Sequence, residues 1–297
     1  MPTILNDKVT ISHSLGGCAF NDPSSMSSWP NALKVRIDDI GGWKKTAPLE
    51  SITTPRGTGD GDYIASRFPA RSRLLQIEGY ITATSRTTLD VLFDLVISQA
   101  FPDNVDITLT RYEPIPKFIV GRLVDTVDPY QYMGDESSLR FSATLLCADP
   151  FKYDAINTIS GSAGVAGVSS GGRTYPRVYP LIYDIIGAGS GNKIMIFNSG
   201  TANTYPTITI NGPLLSGWRV ENSTWRYQES FDISLAGAAD VLVINNQTKS
   251  ATINGAPVNG LLHGSWWPIR PGSNTIRLFG NYDPAVSFSV SGKSRWR

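Results

Sequence analysis

Charge of one sign, cysteine, histidine and long apolar runs are all scarce in this 297-residue sequence. Its 26 basic residues are balanced by 25 acidic ones. A protein that grips nucleic acid by its phosphates shows a basic excess, so this balance argues against such a surface. The local excess at Lys293, Arg295 and Arg297 reads as a solvated tail. Cys18 and Cys147 stand far apart, and the first residues show no positive stretch leading into an apolar core. The expectation is a chain made in a reducing cytosol with thiols that simply pack. No run approaches the length that spans a bilayer, so no membrane insertion is expected. His13 and His263 are the only histidines, and neither has a Cys or a second His at ligand spacing. Neither a metal site nor a cofactor is expected.

Turn formers and aromatics are plentiful instead, with 28 Gly, 19 Pro, 7 Trp, 12 Tyr and 11 Phe, and only 17% of residues are charged. That composition favours β-rich architecture. In the first half, residues 8–11, 33–37, 63–68, 74–81, 105–110, 118–124 and 139–147 read as strands. The last is the clearest, with Leu139, Phe141, Ala143 and Leu145 facing one way. Residues 44–62 lose periodicity and read as a long loop or arm. One helix is expected, capped by Ser85, with an apolar face of Leu89, Leu92, Phe93 and Val96 and an end near Ala100. Residues 1–153 therefore form an α+β domain, a sheet with one helix.

Cys147-Ala148-Asp149-Pro150-Phe151-Lys152-Tyr153 marks the seam. Asp149-Pro150 ends the strand, and Phe151 and Tyr153 are expected to anchor the chain that departs. Residues 154–174 read as a Gly/Ser-rich linker. In 175–297 strands recur about every ten residues with no helix, at 181–186, 193–197, 207–210, 218–221, 231–235, 241–244, 250–253, 274–279 and 286–290. Asn211-Gly212, Asn254-Gly255 and Asn259-Gly260 mark turns between them. An antiparallel β-sandwich is the expectation.

Chemistry is hard to find. Gly167-Val168-Ser169-Ser170-Gly171 has the spacing of a hydrolase nucleophile turn but lies in the linker, without the strand and helix that turn needs. Gly292-Lys293-Ser294 lacks the earlier glycine and following helix of a phosphate loop. Asp60-Gly61-Asp62 lacks the remaining ligands of a cation loop. The contact candidates are Trp225, Trp266 and Trp267, since exposed tryptophans stack on sugars or anchor partners. Trp266 and Trp267 are adjacent, so on a strand they point to opposite faces and one is left for contact.

The order of Ala148-Asp149-Pro150-Phe151-Lys152-Tyr153, Tyr205-Pro206-Thr207-Ile208-Thr209-Ile210-Asn211-Gly212, Asn254-Gly255 and Trp267-Pro268-Ile269-Arg270-Pro271-Gly272-Ser273-Asn274-Thr275-Ile276 resembles the distal tail proteins of long-tailed, non-contractile bacteriophages, the siphovirus-type tail components or minor tail proteins. The resemblance implies a structural protein, not an enzyme. It implies a tail-tube-like first domain and a galectin-like sandwich as the second. Such proteins form a homo-hexameric ring at the distal end of the virion tail, assembled in the host bacterial cytoplasm. The implied partners are the tail tube protein, a hub, fibre or receptor-binding protein and the tape measure protein, with DNA only as passing cargo. A host glycan is a further implied contact, and a carbohydrate-binding module is the alternative reading of the second domain. An enzyme acting on cell-wall polymer is a third reading, for which no acid/base pair stands out.

Overall fold

The computed structural model describes residues 7–22, 32–55, 62–64, 69–133, 137–164, 193–213, 218–231, 235, 237, 239–279 and 286–297. Asp60-Gly61, the Gly167–Gly171 stretch, the 181–186 strand, the middle of the 231–235 strand, the end of the 63–68 strand and residues 165–174 of the expected linker lie outside those residues. Among the described residues no helix is long and apolar enough to cross a membrane. The chain divides into two compact units between Ile156 and Asn157.

The first unit contains β1 (Val9–His13), β2 (Gly16–Phe20), β3 (Ala32–Gly41), β4 (Thr53–Pro55), β5 (Asp62–Ile64), β6 (Arg73–Ala83), α1 (Arg86–Ala100), β7 (Ile107–Arg111), β8 (Lys117–Leu123), β9 (Asp128–Met133) and β10 (Ser138–Cys147). Pairing is antiparallel, in the order β2-β1-β7-β8, with β8 joined to β10 and β10 flanked by β6 and β9. β3 continues from β6, and β4, inside the expected arm, makes a separate two-stranded ribbon with β5, at the start of the expected 63–68 strand. Strict alternation buries Leu139, Phe141, Ala143, Leu145 and Cys147 on one face of β10. Opposite them, Leu75, Ile77 and Ile81 of β6 do the same.

Helix α1 begins where the Ser85 hydroxyl accepts a 3.3 Å bond from the Thr88 N–H, as a cap should. Leu89, Leu92, Val96 and Ala100 are its buried stripe. Phe101, just past the helix, meets Phe141 edge-on with centroids 6.2 Å apart.

β11 (Lys152–Gly164) runs through the stretch expected to be linker. Tyr153 and Asp154 pair with Phe118 and Lys117 of β8. The glycine that made the stretch look flexible is a packing requirement: a Cβ on Gly161 would lie 2.3 Å from Ile194 Cγ2. Ile159 is buried as well. The linker expectation is therefore corrected for residues 154–164.

The second unit adds β12 (Lys193–Asn198), β13 (Thr207–Asn211), β14 (Trp218–Asn222), β15 (Tyr227–Phe231), β16 (Val241–Asn245), β17 (Ser250–Ile253), β18 (Ala256–Pro257), β19 (Leu262–Gly264), β20 (Gly272–Phe279) and β21 (Ser287–Trp296). Two antiparallel layers result, β18-β17-β16-β13-β21 with the end of β11 beside β21, and β12-β20-β14-β15-β19. Alternate residues of both enter one core, including Ile208, Ile210, Leu242, Ile244, Phe288, Trp218, Val220, Ile276 and Leu278. The expected solvated tail is corrected too. Residues 293–296 belong to β21, Ser294 and Trp296 are buried, and the Arg295 carbonyl accepts a 2.9 Å bond from the Ala202 N–H.

Candidate functional site

Asp149 is the hub of the seam. Its Oδ1 accepts from the Phe151 N–H at 3.2 Å, and its Oδ2 accepts from the Tyr153 hydroxyl at 2.5 Å. Pro150 is buried and Phe151 half-buried. The Tyr153 ring stacks on Phe118 of β8 with centroids 5.7 Å apart.

Lys152, between those aromatics, points the other way into a charged cluster. Its Nζ donates 2.8 Å to the Trp43 carbonyl and lies 5.6 Å from the Trp43 ring. Trp43 Nε1 donates 2.9 Å to Glu113, which also accepts from Lys117 at 3.0 Å. Arg111 stands 3.4 Å from Glu113 and 2.7 Å from Asp7. Arg73, only 3% exposed, has no acceptor for any of its three side-chain nitrogens. Burial, followed by the charges of Arg73 and Lys117, pushes the Lys152 ammonium down to about 8. Burial raises the Glu113 carboxyl, but Lys117, Trp43 and Arg111 outweigh it and hold the group below its usual range. This cluster fastens β7, β8 and the start of β11 together around Trp43.

The three tryptophan candidates separate sharply. Trp267 is 0% exposed and lies in the core, so it is no contact residue. Trp266 is half-buried and packs against that core. Adjacent positions do differ in burial, but the 266–269 segment is tied to Thr204, ahead of β13, and neither ring stands free. The reason is local pairing, since Ile269 and Thr204 exchange backbone bonds of 2.7 and 3.0 Å. Trp225 alone is well exposed, at 40%, in the turn between β14 and β15.

Trp225 has companions that sequence reasoning missed. The Arg270 guanidinium lies 4.4 Å from the Trp225 centroid and 5.5 Å from that of Tyr227. Its Nη2 also donates to the Tyr227 hydroxyl. Arg270 sits within the Trp267–Ile276 run already singled out, but nothing in its spacing announces a partner more than forty residues earlier.

Beneath this surface lies Glu229, 0% exposed. Its neighbours are the Asn246 side chain and the Trp267 backbone N–H, yet neither oxygen completes a well-formed bond. Asn246 Oδ1 instead accepts from the Trp267 N–H at 2.8 Å. Burial outweighs both neighbours and pushes the Glu229 carboxyl up to about 8, so it is largely protonated at neutral pH. Asn246 Nδ2 and Trp267 Nε1 are likewise buried without acceptors. Glu229, at the middle of β15, faces inward, which the sequence alone leaves undecided.

An open depression of about 580 Å³ in the first unit is lined by Ile97, Phe101, Leu123 and Val127, with Asp103 and Asp125 beside them. Among the described residues no three His, Cys, Asp or Glu side chains gather as metal ligands would. Cys18 and Cys147 are free thiols that burial pushes up to about 12.

Several known proteins are similar to this chain. The crystal structure of the SPP1 Dit (gp 19.1) protein, described as a paradigm of hub adsorption apparatus in phages infecting Gram-positive hosts, is 12% identical with a TM-score of 0.60, over 96% of this chain and 98% of that one. A chain of the phage P2 baseplate in its activated conformation with calcium is 13% identical with a TM-score of 0.41, over 97% and 98%. No curated protein matches the sequence. Residues 199–296 match the C-terminal domain of the siphovirus-type tail component family. Residues 199–296 are thus similar to the siphovirus-type tail component C-terminal domain, within a chain that has the fold of the SPP1 Dit protein.

Proposed function

We propose that this chain is a structural, non-enzymatic component of the distal end of a bacteriophage tail, assembled in the host bacterial cytoplasm. Six copies close into a ring between the tail tube protein and a hub, fibre or receptor-binding protein. The tape measure protein and DNA pass through its channel. The first unit, tube-like in this reading, makes the ring, and the galectin-like second unit faces outward. The observation that carries the reading is the conjunction of the family match over 199–296 with a fold likeness spanning 96% of the chain.

Physical features support it. Ring closure needs two different patches on each subunit. The first unit offers the β4–β5 ribbon, with exposed Leu49 and Ile52 leading into it. Its base is fastened by the Leu49–Ala70 bridge and the Glu50–Arg71 ion pair. The near-zero net charge suits a conduit through which DNA slides without sticking.

Light scattering and negative-stain imaging of the purified chain, alone and with tube protein, test the ring. Six-fold particles are expected. A strict monomer at high concentration, even beside tube protein, would overturn it. Zymography against host cell walls tests the non-enzymatic reading, and clearing by the purified chain would defeat it.

A second reading, contact between the outward unit and host cell-wall glycan, is favoured by one observation. Trp225 stays exposed beside a cation that has no acidic partner among the described residues.

A further inference from the structure

Arg270 is held more firmly than a surface arginine usually is. Its guanidinium stacks by Trp225 and Tyr227, and its Nη2 donates a hydrogen bond to the Tyr227 hydroxyl. Its backbone is fixed on both sides, by the Ile269–Thr204 bridge and by Asn274 Nδ2 donating 2.8 Å to the Arg270 carbonyl. Among the described residues no carboxylate pairs with it. Its other N–H groups are not buried. Arg226, exposed at the same turn with φ 57°, adds a second positive charge there. Glu229, two residues along β15 from Tyr227, adds little negative charge at neutral pH, because burial keeps it protonated. Elsewhere in this unit Arg219 has Glu221 within 3.8 Å.

We infer that Trp225, Tyr227, Arg226 and Arg270 form a site for the oxyanion group of an acidic saccharide. The inference rests on the glycan-contact reading above and names the part of the glycan that is recognised. An arginine already ordered loses little further entropy on meeting a carboxylate or phosphate, and the N–H groups not engaged by Tyr227 are left to meet its oxygens. The indole supplies the apolar wall. A half-exposed flat ring beside an oxyanion receptor matches a sugar ring, which has an apolar C–H face and carries its acid at the edge. The site sits on a hairpin turn, where a chain-like polymer can approach without entering a cavity.

The test uses the full chain and tryptophan fluorescence, with protein-observed NMR as a second readout. Four probes are titrated: a short polyglucuronate, its carboxyl-reduced neutral counterpart, a sugar-phosphate oligomer and a polyglutamate peptide. Polyglucuronate, the sugar-phosphate oligomer or both are expected to bind roughly tenfold or more tightly than the neutral sugar, as one charge-assisted contact implies. The two acidic arms decide whether carboxylate or phosphate is the preferred group. Arg270→Gln is expected to remove that preference. Arg270→Lys keeps the charge, loses the fork and is expected to weaken binding several-fold, which leaves a readout if Arg270→Gln unfolds. Equal binding of acidic and neutral sugars, no sugar binding, or binding of the peptide alone would overturn the site. A chain that forms rings but binds no acidic sugar would sink this site and leave the ring intact, whereas a monomer that binds acidic sugar would do the reverse.

Discussion

The Tyr153 hydroxyl donates a 2.5 Å hydrogen bond to Asp149 Oδ2, four residues back, across the Pro150 turn between β10 and β11. Asp149 also accepts from the Phe151 N–H, so one carboxylate closes the turn on both sides. Tyr153→Phe keeps the stack on Phe118 and is expected to cost about 1 kcal/mol of first-unit stability. The double substitution Phe151→Ser with Tyr153→Ser removes the stack too. Hydrogen exchange of amides 152–156 is expected to quicken while α1 and β6 stay protected. In the proposed assembly the double variant still forms rings; loss of the ring would place this turn in the subunit interface.

The tryptophans give a test of burial. Trp267→Ala empties a core position and is expected to cost about 3–5 kcal/mol, read as a lower denaturant midpoint for the second unit. Trp225→Ala, at the exposed turn, is expected to shift stability by less than about 1 kcal/mol. Equal costs would refute the assignment of core and surface.

Glu229 makes the second unit sensitive to alkali. Its folded carboxyl holds a proton up to about 8, well above the 4.5 of an ordinary glutamate. The folded state therefore binds the proton more tightly than the unfolded state does. The resulting stabilisation is complete below about 4.5, declines as pH rises, and is gone above about 8. The slope approaches at most about 1.4 kcal/mol per pH unit. Glu229→Gln mimics the neutral acid and is expected to flatten this slope in denaturation curves collected from pH 5 to 8.

Lys152 works in the opposite direction in the first unit. Its ammonium is pushed down to about 8, from 10.5 for an ordinary lysine. The folded state releases the proton more readily, so its contribution is present above about 10.5 and is lost as pH falls toward 8. Lys152→Met removes the buried charge along with its bond to the Trp43 carbonyl. The variant's stability is expected to vary less with pH between 8 and 10.5 than that of the parent, as followed by first-unit unfolding.

Cys18 and Cys147 are expected to resist alkylation at pH 8 until the first unit unfolds. Burial holds both thiols up to about 12, leaving little thiolate. Rapid labelling of the native chain would contradict this.

Local rules made much of the first unit readable. Ser85 capping an apolar stripe and the alternation of Leu139 to Leu145 are patterns of period 3.6 and 2, and both are written in consecutive residues. β11 was unreadable for the same reason reversed. Its Gly161 is selected by the side chain of Ile194, and composition cannot distinguish a glycine chosen for closeness from one chosen for flexibility. The order of motifs in the second half pointed to the siphovirus-type family, and the match over 199–296 agrees.

The residue types available for contact, the β-rich architecture and the turn at Asp149-Pro150 were thus determined by the sequence itself, because each depends on neighbours along the chain. Which tryptophan meets solvent was decided only by tertiary structure. Trp267 goes inward because the 266–269 segment is tied to Thr204 and Asn246, and Trp225 stays out on its turn with Arg270 against it. Glu229 holds its proton because two layers of sheet exclude water from it. Such pairings join residues tens of positions apart, and burial, the quantity that sets both exposure and proton affinity, exists only once the layers have met.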